Sequence, residues 1–437
     1  MHRIAVIGAG AAGCFCAAEL RRRIPDTHVD VFEAGPKPLA KVAITGGGRC
    51  NLTNSFEGIR SLSEVYPRGE RLMKRLLHVF SQEDTWRWFE AAGVPLVLQE
   101  DHCVFPRSQD AMDIVRALLR KMDGVHLRLR TPVTSVMPGP TSSVMPGLDR
   151  VSQTPDQVGG DGNIKVGGDE TVMPGLTGHL LVNGEPYDVV VVTTGGAPKG
   201  LPLLEGLEIE WVPTVPSLFT FTIRDEALQS LMGLVVDASL SIPGTPFKAS
   251  GPLLITDWGL SGPAVLKLSS YAARHLHDAG YQAPLSVNWL AMGEAEVRSI
   301  LQNIAEANPR KQVVNTPPAG LQSRLWNHLT VKAGLREDIR WAELGSKGMN
   351  RLVATLTQDI YTIAGKTKFR EEFVTCGGVA LSNVNPATLE SKTYPGLYFA
   401  GEVLDIDAVT GGFNLQAAWT TGYVAAQSIA SQALETK

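Results

Sequence analysis

The residues near the start of the chain best suited to chemistry are Gly8, Gly10 and Gly13, spaced Gly-x-Gly-x-x-Gly, with Glu33 twenty residues further on. In that spacing Gly8 permits a tight strand-to-helix turn and Gly10 lets a pyrophosphate touch the backbone. Gly13 lets the helix pack close to the strand, and the phosphate charge comes to rest at the helix N-terminus. A carboxylate at the end of the following strand can accept from ribose hydroxyls. A tight turn alone explains the glycines but not Glu33, so the set predicts dinucleotide binding.

A second group decides which dinucleotide. "GLYFAGEVLDIDAVTGGFNLQAAW" provides a strand, a turn with Gly401 and Glu402, and then Gly411 and Gly412 opening a long helix. This brings a carboxylate toward a ribityl hydroxyl. It also aims a second helix N-terminus at the edge of a flavin where negative charge develops on reduction. NAD needs neither device, and "TTGGAP" at 193–198 lacks the spacing and the acid of a second fingerprint. The expected cofactor is FAD. Between the two groups stands "TGGGRCNLTN", Thr45 to Asn54. Three consecutive glycines stabilise neither helix nor strand, so something must need the backbone bare there.

The elements that position these groups can be read from periodicity. "RIAVIGAG", "AAGCFCAAELRRR" and "HVDVFEAG" form a strand–helix–strand unit, and residues 61–123 read as helix-rich. "VHLRLRTPVTSV" alternates with period two and reads as a strand pair. Residues 135–178 repeat "SVMPG", "VMPG" and "VGGD" in a Gly-, Pro- and Ser-rich setting that reads as a low-complexity loop. "LLVNGEPY" reads as a hairpin turning at Asn-Gly, and "DVVVVTTGG" as a strand covered on both faces. The texture then changes. The reading places the FAD-binding domain at 1–201 and 373–437, a β-barrel-like insert at 202–261 and 346–372, and a helical part at 262–345.

Composition narrows the class. Net charge is −4, so no global field favours nucleic acid or a membrane surface. Arg68, Arg71, Lys74 and Arg75 interleave with acids and read as a solvated helix face. The five cysteines show no metal-ligand or disulfide spacing, and no metal is expected. No signal peptide is visible and no apolar run reaches the ~20 residues a bilayer needs, so the expected compartment is the cytoplasm.

"KVAITGGGRCNLTN", "TCGGVAL", "PGLYFAGEVLDIDAVTGGFNLQAAWTTG" and "GLSGPAVLKLSS" together resemble the BaiN/RdsA-like family of FAD-dependent oxidoreductases, over nearly the whole chain except 135–178. The resemblance implies an α/β fold: a Rossmann-like FAD domain of glutathione-reductase type, interrupted by the insert. It implies that Ala12, Ala34, Val133, Thr194, Gly195, Gly196, Phe413 and Asn414 join the cofactor site. It also places Gly46, Gly47 and Gly48 beside the pyrophosphate and flavin, with Arg49 and Asn51 bonding phosphate or flavin oxygens. Cys50 has no CxxxxC partner, because position 55 is Ser55, so disulfide exchange is not expected. Cys50 is then either a small residue packed under the flavin or a proton donor. Cys376 resembles the second residue of the T-x-G-G-V segment of fumarate-reductase-like and ketosteroid-dehydrogenase-like flavoproteins. A thiol there with a pKa near neutral would suit protonation of a reduced C=C bond; the alternative is an inert buried cysteine.

Family members imply three activities: dihydrouridine synthesis in ribosomal RNA, reduction of unsaturated bile-acid intermediates, and amine (aminoacetone) oxidation. The expected reaction is therefore reduction of an activated C=C by FAD, with NAD(P)H as a transient donor. The acceptor would be a uracil of 23S rRNA or an unsaturated small molecule. A non-catalytic flavin-bearing binding protein is the reading from a different class. An RNA-facing basic patch would draw on Lys332, Arg336, Arg340, Lys347, Arg351, Lys366, Lys368 and Arg370.

Overall fold

The computed structural model describes residues 3–139, 180–196, 201–366 and 374–435. At its centre five parallel strands run in the order Leu397–Phe399, Val189–Val192, Arg3–Ile7, His28–Phe32, His126–Arg128. Val190 pairs with Ala5 on one side and Leu397 on the other, which is why "VVVV" is a continuous apolar run. The helix Ala11–Arg23 buries Ala12, Gly13, Cys14, Cys16 and Ala17. Such small residues let a neighbour approach closely. A Cβ on Gly422, in the C-terminal helix Phe413–Glu435, would lie 2.7 Å from the Ala12 carbonyl oxygen. Arg21, Arg22 and Arg23 occupy the last turn of Ala11–Arg23, where positive charge opposes the negative end of the helix dipole.

Three readings change in the folded chain. "VHLRLRTPVTSV" does not make a strand pair: His126–Arg128 joins the parallel sheet beside His28–Phe32, and Val136–Pro138 pairs antiparallel with Leu180–Val182. Arg130, in the left-handed region (φ 53°), turns the chain between them. The helix-rich stretch does hold helices Glu70–Leu76, Gln82–Ala91 and Ala111–Lys121, but Leu96–Leu98 and Cys103–Pro106 are strands that pair with each other, and Cys103–Pro106 pairs on its other side with Thr53–Asn54. Val136–Pro138 is the one strand formed by the first "SVMPG" copy; the rest of the expected low-complexity loop, 140–178, lies outside the described residues. The Asn183-Gly184 hairpin forms as read, with both residues at positive φ.

The insert holds a closed six-stranded barrel, ordered Phe221–Ile223, Gly259–Ser261, Lys248–Thr256, Val235–Ser241, Ala283–Asn288, Asp359–Lys366. Ala283–Asn288 falls inside 262–345, read as the helical part of the insert. Its burial alternates with Ala283, Leu285 and Val287 inside, a period-two signal hidden between flanking helices. The two halves of the molecule are joined by an antiparallel pair, Trp211–Ser217 with Val374–Val379, in which Val215 stands opposite Cys376.

Candidate active site

The first strand-to-helix turn is built for a close backbone approach. Gly8 lies at φ 109°, and a Cβ there would be 2.5 Å from the Thr193 carbonyl oxygen. A Cβ on Gly13 would be 2.0 Å from the Gly8 carbonyl oxygen, so strand and helix meet with no room for a side chain. Gly10 differs: a Cβ there would meet nothing within 4 Å. No side chain caps the helix that begins at Ala11 and its first turn holds no acid, so its N-terminal N–H groups face the space beside Gly10. Glu33 is fixed by two backbone donors, Ala9 N–H to Oε2 at 3.0 Å and Gly35 N–H to Oε1 at 2.7 Å. A carboxylate has lone pairs left over after two such bonds, enough to receive ribose hydroxyls. Ala34 is exposed beside it.

The glycine loop is held from the far end of the chain. Gly47 and Gly48 face open space, whereas a Cβ on Gly46 would press on the Asn51 N atom at 3.0 Å. The bare backbone is therefore open at the positions the resemblance assigns to the cofactor. Asn54 Nδ2 donates to the Gly411 carbonyl at 3.1 Å, and Trp419 Nε1 donates to the Leu52 carbonyl at 3.0 Å. The Asn51 amide donates to the Thr53 carbonyl (3.0 Å) and accepts from Gly412 N–H (3.2 Å). A Cβ on Gly412 would collide with the Thr53 carbonyl oxygen at 2.4 Å. Arg49 stacks on Phe105, 4.6 Å from the ring centre, and its Nε donates to the Gly46 carbonyl at 3.3 Å. Cys50 is fully buried and its thiol is pushed up to about 12 by that burial.

Strand ends of the Rossmann half close the site. A Cβ on Gly196 would lie 2.3 Å from Thr375 Oγ1 and 3.0 Å from Glu402 Oε1. Glu402 Oε1 accepts from Thr375 N–H at 2.8 Å, and Lys41 Nζ stands 3.8 Å from Oε2. A Cβ on Gly195 would lie 3.5 Å from Glu402 Oε2, and one on Gly401 would lie 2.7 Å from Ala12 Cβ. Thr194 Oγ1 is buried and has no hydrogen-bond partner among the described residues, an orphan of the kind a bound group satisfies. The open cradle at Gly10, Gly47 and Gly48, the uncapped helix end and this hydroxyl fit a flavin dinucleotide. Three expected cofactor residues have other engagements. Phe413 packs edge-on against Phe56 and Tyr66, the Asn414 amide closes on both backbone groups of Ala408 (2.9 Å each), and Val133 packs against the core under the sheet.

Cys376 lies at the seam between the two halves, packed with Val215 and Ala273. Around it stand two ion pairs. Arg68 forks onto fully buried Asp407 and its Nη2 donates to the Ser270 carbonyl at 2.9 Å; Ser217 Oγ also donates to Asp407, at 3.1 Å. Arg274 Nη1 donates to the Pro213 carbonyl at 3.0 Å, and Nη2 is 3.6 Å from Asp405 Oδ1. The expected near-neutral thiol is not found. Burial pushes Cys376 up, the charges of Arg68 and Arg274 pull back only partly, and the result is about 11. Burial also raises the Asp405 carboxyl above its ordinary range, with Arg274 opposing and Asp407 reinforcing.

A family model described as the HI0933-like protein Rossmann domain matches residues 2–428. The chain belongs to the HI0933-like family. It is an FAD-dependent oxidoreductase of Rossmann type, as the resemblance implied. Among curated relatives, a protein named ribosomal RNA dihydrouridine synthase from Escherichia coli is 30% identical over 433 residues, covering 97% of each chain. One of the same name from Haemophilus influenzae is 29% identical over 98% of each. A 3-dehydro-bile acid delta(4,6)-reductase from Clostridium scindens is 26% identical over 99% of this chain and 100% of that one.

The ion pairs of this HI0933-like protein escaped the sequence reading. Arg68 was expected on a solvated face, yet its side chain is only 16% exposed and its partner lies 339 residues away. A local signal existed in "DIDAV", where acids sit in an otherwise apolar run, but it does not name the partner.

Proposed function

We propose that this HI0933-like protein reduces an activated C=C bond, with NAD(P)H as transient donor and a uracil of 23S rRNA as acceptor, giving dihydrouridine. The observation that carries this reading is the 30% identity over 97% of both chains with the protein named ribosomal RNA dihydrouridine synthase. The reaction balances as uridine, NAD(P)H and one proton giving dihydrouridine and NAD(P)+. FAD, when bound, supplies the hydride transfer between donor and acceptor. Gly8, Gly10, Gly13 and Glu33 would hold its pyrophosphate and ribose. Gly47, Gly48, Glu402, Gly411 and Gly412 would lie along its flavin half.

The chain's own contribution to the chemistry is a proton. With its thiol pushed up to about 11, Cys376 is protonated at neutral pH and holds a proton beside the seam. Arg68 and Arg274 favour the thiolate left when that proton moves to the carbon next to the one reduced. Asp405, the 21% exposed partner of Arg274, adds a nearby negative charge that favours the protonated thiol.

Of the basic residues considered for RNA, Lys332 is paired with Asp359 at 2.6 Å, and Arg336 lies 3.5 Å from both Asp338 and Glu343. Lys368 and Arg370 lie outside the described residues. If RNA is the substrate, its affinity falls steeply as salt rises. A second reading, an unsaturated small molecule as acceptor, is favoured by the 26% identity with the bile acid reductase.

The test is anaerobic. The FAD-loaded protein is reduced with NADH or NADPH in a stopped-flow cell and mixed with deproteinised 23S RNA free of dihydrouridine. Return of the oxidised flavin band together with dihydrouridine in the RNA supports the proposal. Reoxidation only by an unsaturated small molecule replaces the substrate. Peroxide formed from an amine under air favours the oxidase alternative, and a flavin that NAD(P)H does not bleach favours the non-catalytic one.

A further inference from the structure

We propose that His28, Asp30 and His126 form a surface site for a divalent transition-metal ion of the zinc class, independent of the flavin site. The three residues are distant in sequence but adjacent by strand geometry. His28 and Asp30 are two apart on one strand and so share a face of the sheet, and Asp30 stands directly opposite His126 on the neighbouring parallel strand. No His or Cys spacing along the chain announces the set.

His28 Nε2 lies 3.1 Å from Asp30 Oδ2, and His126 Nδ1 lies 2.5 Å from Asp30 Oδ1. All three ligand atoms fall within 4.8 Å of one another. Ligands at the usual zinc distances in a tetrahedral site stand roughly 3.4 Å apart, so small side-chain rotations suffice to seat an ion. Two imidazoles and one carboxylate suit zinc, nickel or copper rather than calcium or magnesium, which take oxygen ligands. The carboxylate is fully buried while both rings are open to solvent. An ion can therefore arrive from outside, against an anion already fixed in place, and keep water in its fourth position.

Asp30 is held from behind, as an effective ligand must be. Tyr187 Oη donates to its Oδ2 at 2.7 Å, and Arg3 Nη2 lies 3.4 Å from the same oxygen. Arg3 also lies 3.5 Å from Glu185, which offsets part of the charge it would set against an incoming cation. Both histidines stand at the starts of their strands, at the end of the sheet opposite the Gly8 turn. A metal there would clamp the edge strand His126–Arg128 to its neighbour and leave the flavin cradle untouched.

The test uses tag-free protein stripped with EDTA and titrated with zinc chloride by calorimetry, with calcium chloride as the counter-probe. The expected result is one zinc per chain and no response to calcium. His28→Gln and His126→Gln should each weaken zinc binding about tenfold or more, and the double variant should abolish the site. His102 beside Glu57 and His277 beside Asp278 each offer only one imidazole; an isotherm unchanged in the double variant would assign the zinc to such pairs and overturn the proposal. Absence of zinc binding by the wild type overturns it as well. Should the variants fold poorly, diethylpyrocarbonate labelling of the wild type decides: zinc should protect His28 and His126, and equal labelling with and without zinc refutes the site.

Discussion

Asn54 donates its side-chain amide to the carbonyl of Gly411 across 3.1 Å and 357 residues of chain. That bond makes the glycine loop and the turn before the C-terminal helix one unit. Asn54 is almost fully buried, and its Oδ1 also accepts from Phe56 N–H at 2.9 Å. Asn54→Ala leaves two backbone groups unpaired, at a cost of about 1–3 kcal/mol each. The expected outcome is a lowered thermal midpoint together with less flavin retained per chain after gel filtration. Unchanged flavin retention would separate the loop from the cofactor.

Gly10 and Gly13 should respond to alanine in opposite ways. Gly10→Ala introduces a Cβ into open space, so the apoprotein should melt as the wild type does while FAD binds more weakly. Gly13→Ala drives a Cβ against the Gly8 carbonyl oxygen, a backbone atom with nowhere to go, and the fold should lose about 3 kcal/mol or more. Thermal melts with and without added FAD distinguish the two.

Cys376→Ala should divide the reaction into its halves. Flavin bleaching by NAD(P)H stays at the wild-type rate, because hydride arrival needs no proton from this thiol. Reoxidation by the unsaturated substrate falls by roughly 10²–10⁴-fold, the usual worth of a positioned general acid. Equal rates in both halves would return Cys376 to the status of a packing residue.

Arg68→Ala should destabilise the junction of the two halves. Asp407 would be left fully buried and uncompensated, which costs about 3–5 kcal/mol. Arg68→Met, apolar and of similar length, leaves the same orphan and should not rescue; Arg68→Met with Asp407→Leu should recover much of the loss. Denaturant unfolding of the set measures the coupling.

Glu19 makes stability depend on acid. Its side chain is buried; that burial pushes its pKa up, but hydrogen bonds from Arg22 and Trp88 and the charges of Arg22 and Arg23 outweigh it and hold the carboxyl below the usual range. A carboxyl lowered on folding contributes stability that is complete above the unfolded glutamate value, about 4.3, and is lost as pH falls through the folded value. Glu19→Gln should lower the midpoint at neutral pH and flatten the decline from roughly pH 5 downward. Parallel wild-type and variant curves would remove Glu19 from the acid transition.

Much of the local geometry of the candidate site was legible because its signals are local. The Gly8–Gly13 turn and the Asn183-Gly184 hairpin depend on backbone conformations that only a few residues adopt, and Glu33 stands at a fixed offset from the first, so residue type and spacing declare them. "VVVV" declared a central strand because burial on both faces removes alternation. The strand Ala283–Asn288 was missed for the converse reason: six residues of weak alternation are too few to stand out between helices.

What the sequence alone determined, then, is the local geometry it keeps within one turn or one strand: the Gly8–Gly13 turn, the carboxylate Glu33 at a strand end and the Gly411-Gly412 turn before the last helix. Tertiary structure decided the pairings. Arg68 with Asp407, Arg274 with Asp405 and Asp30 with His126 are set by which strands lie side by side and where the halves meet. Burial decided the Cys376 thiol as well, since desolvation by residues remote in the chain outweighs the arginines beside it. Ion pairing and desolvation act through space, over a few ångströms, and linear order carries no record of which distant residues will come that close.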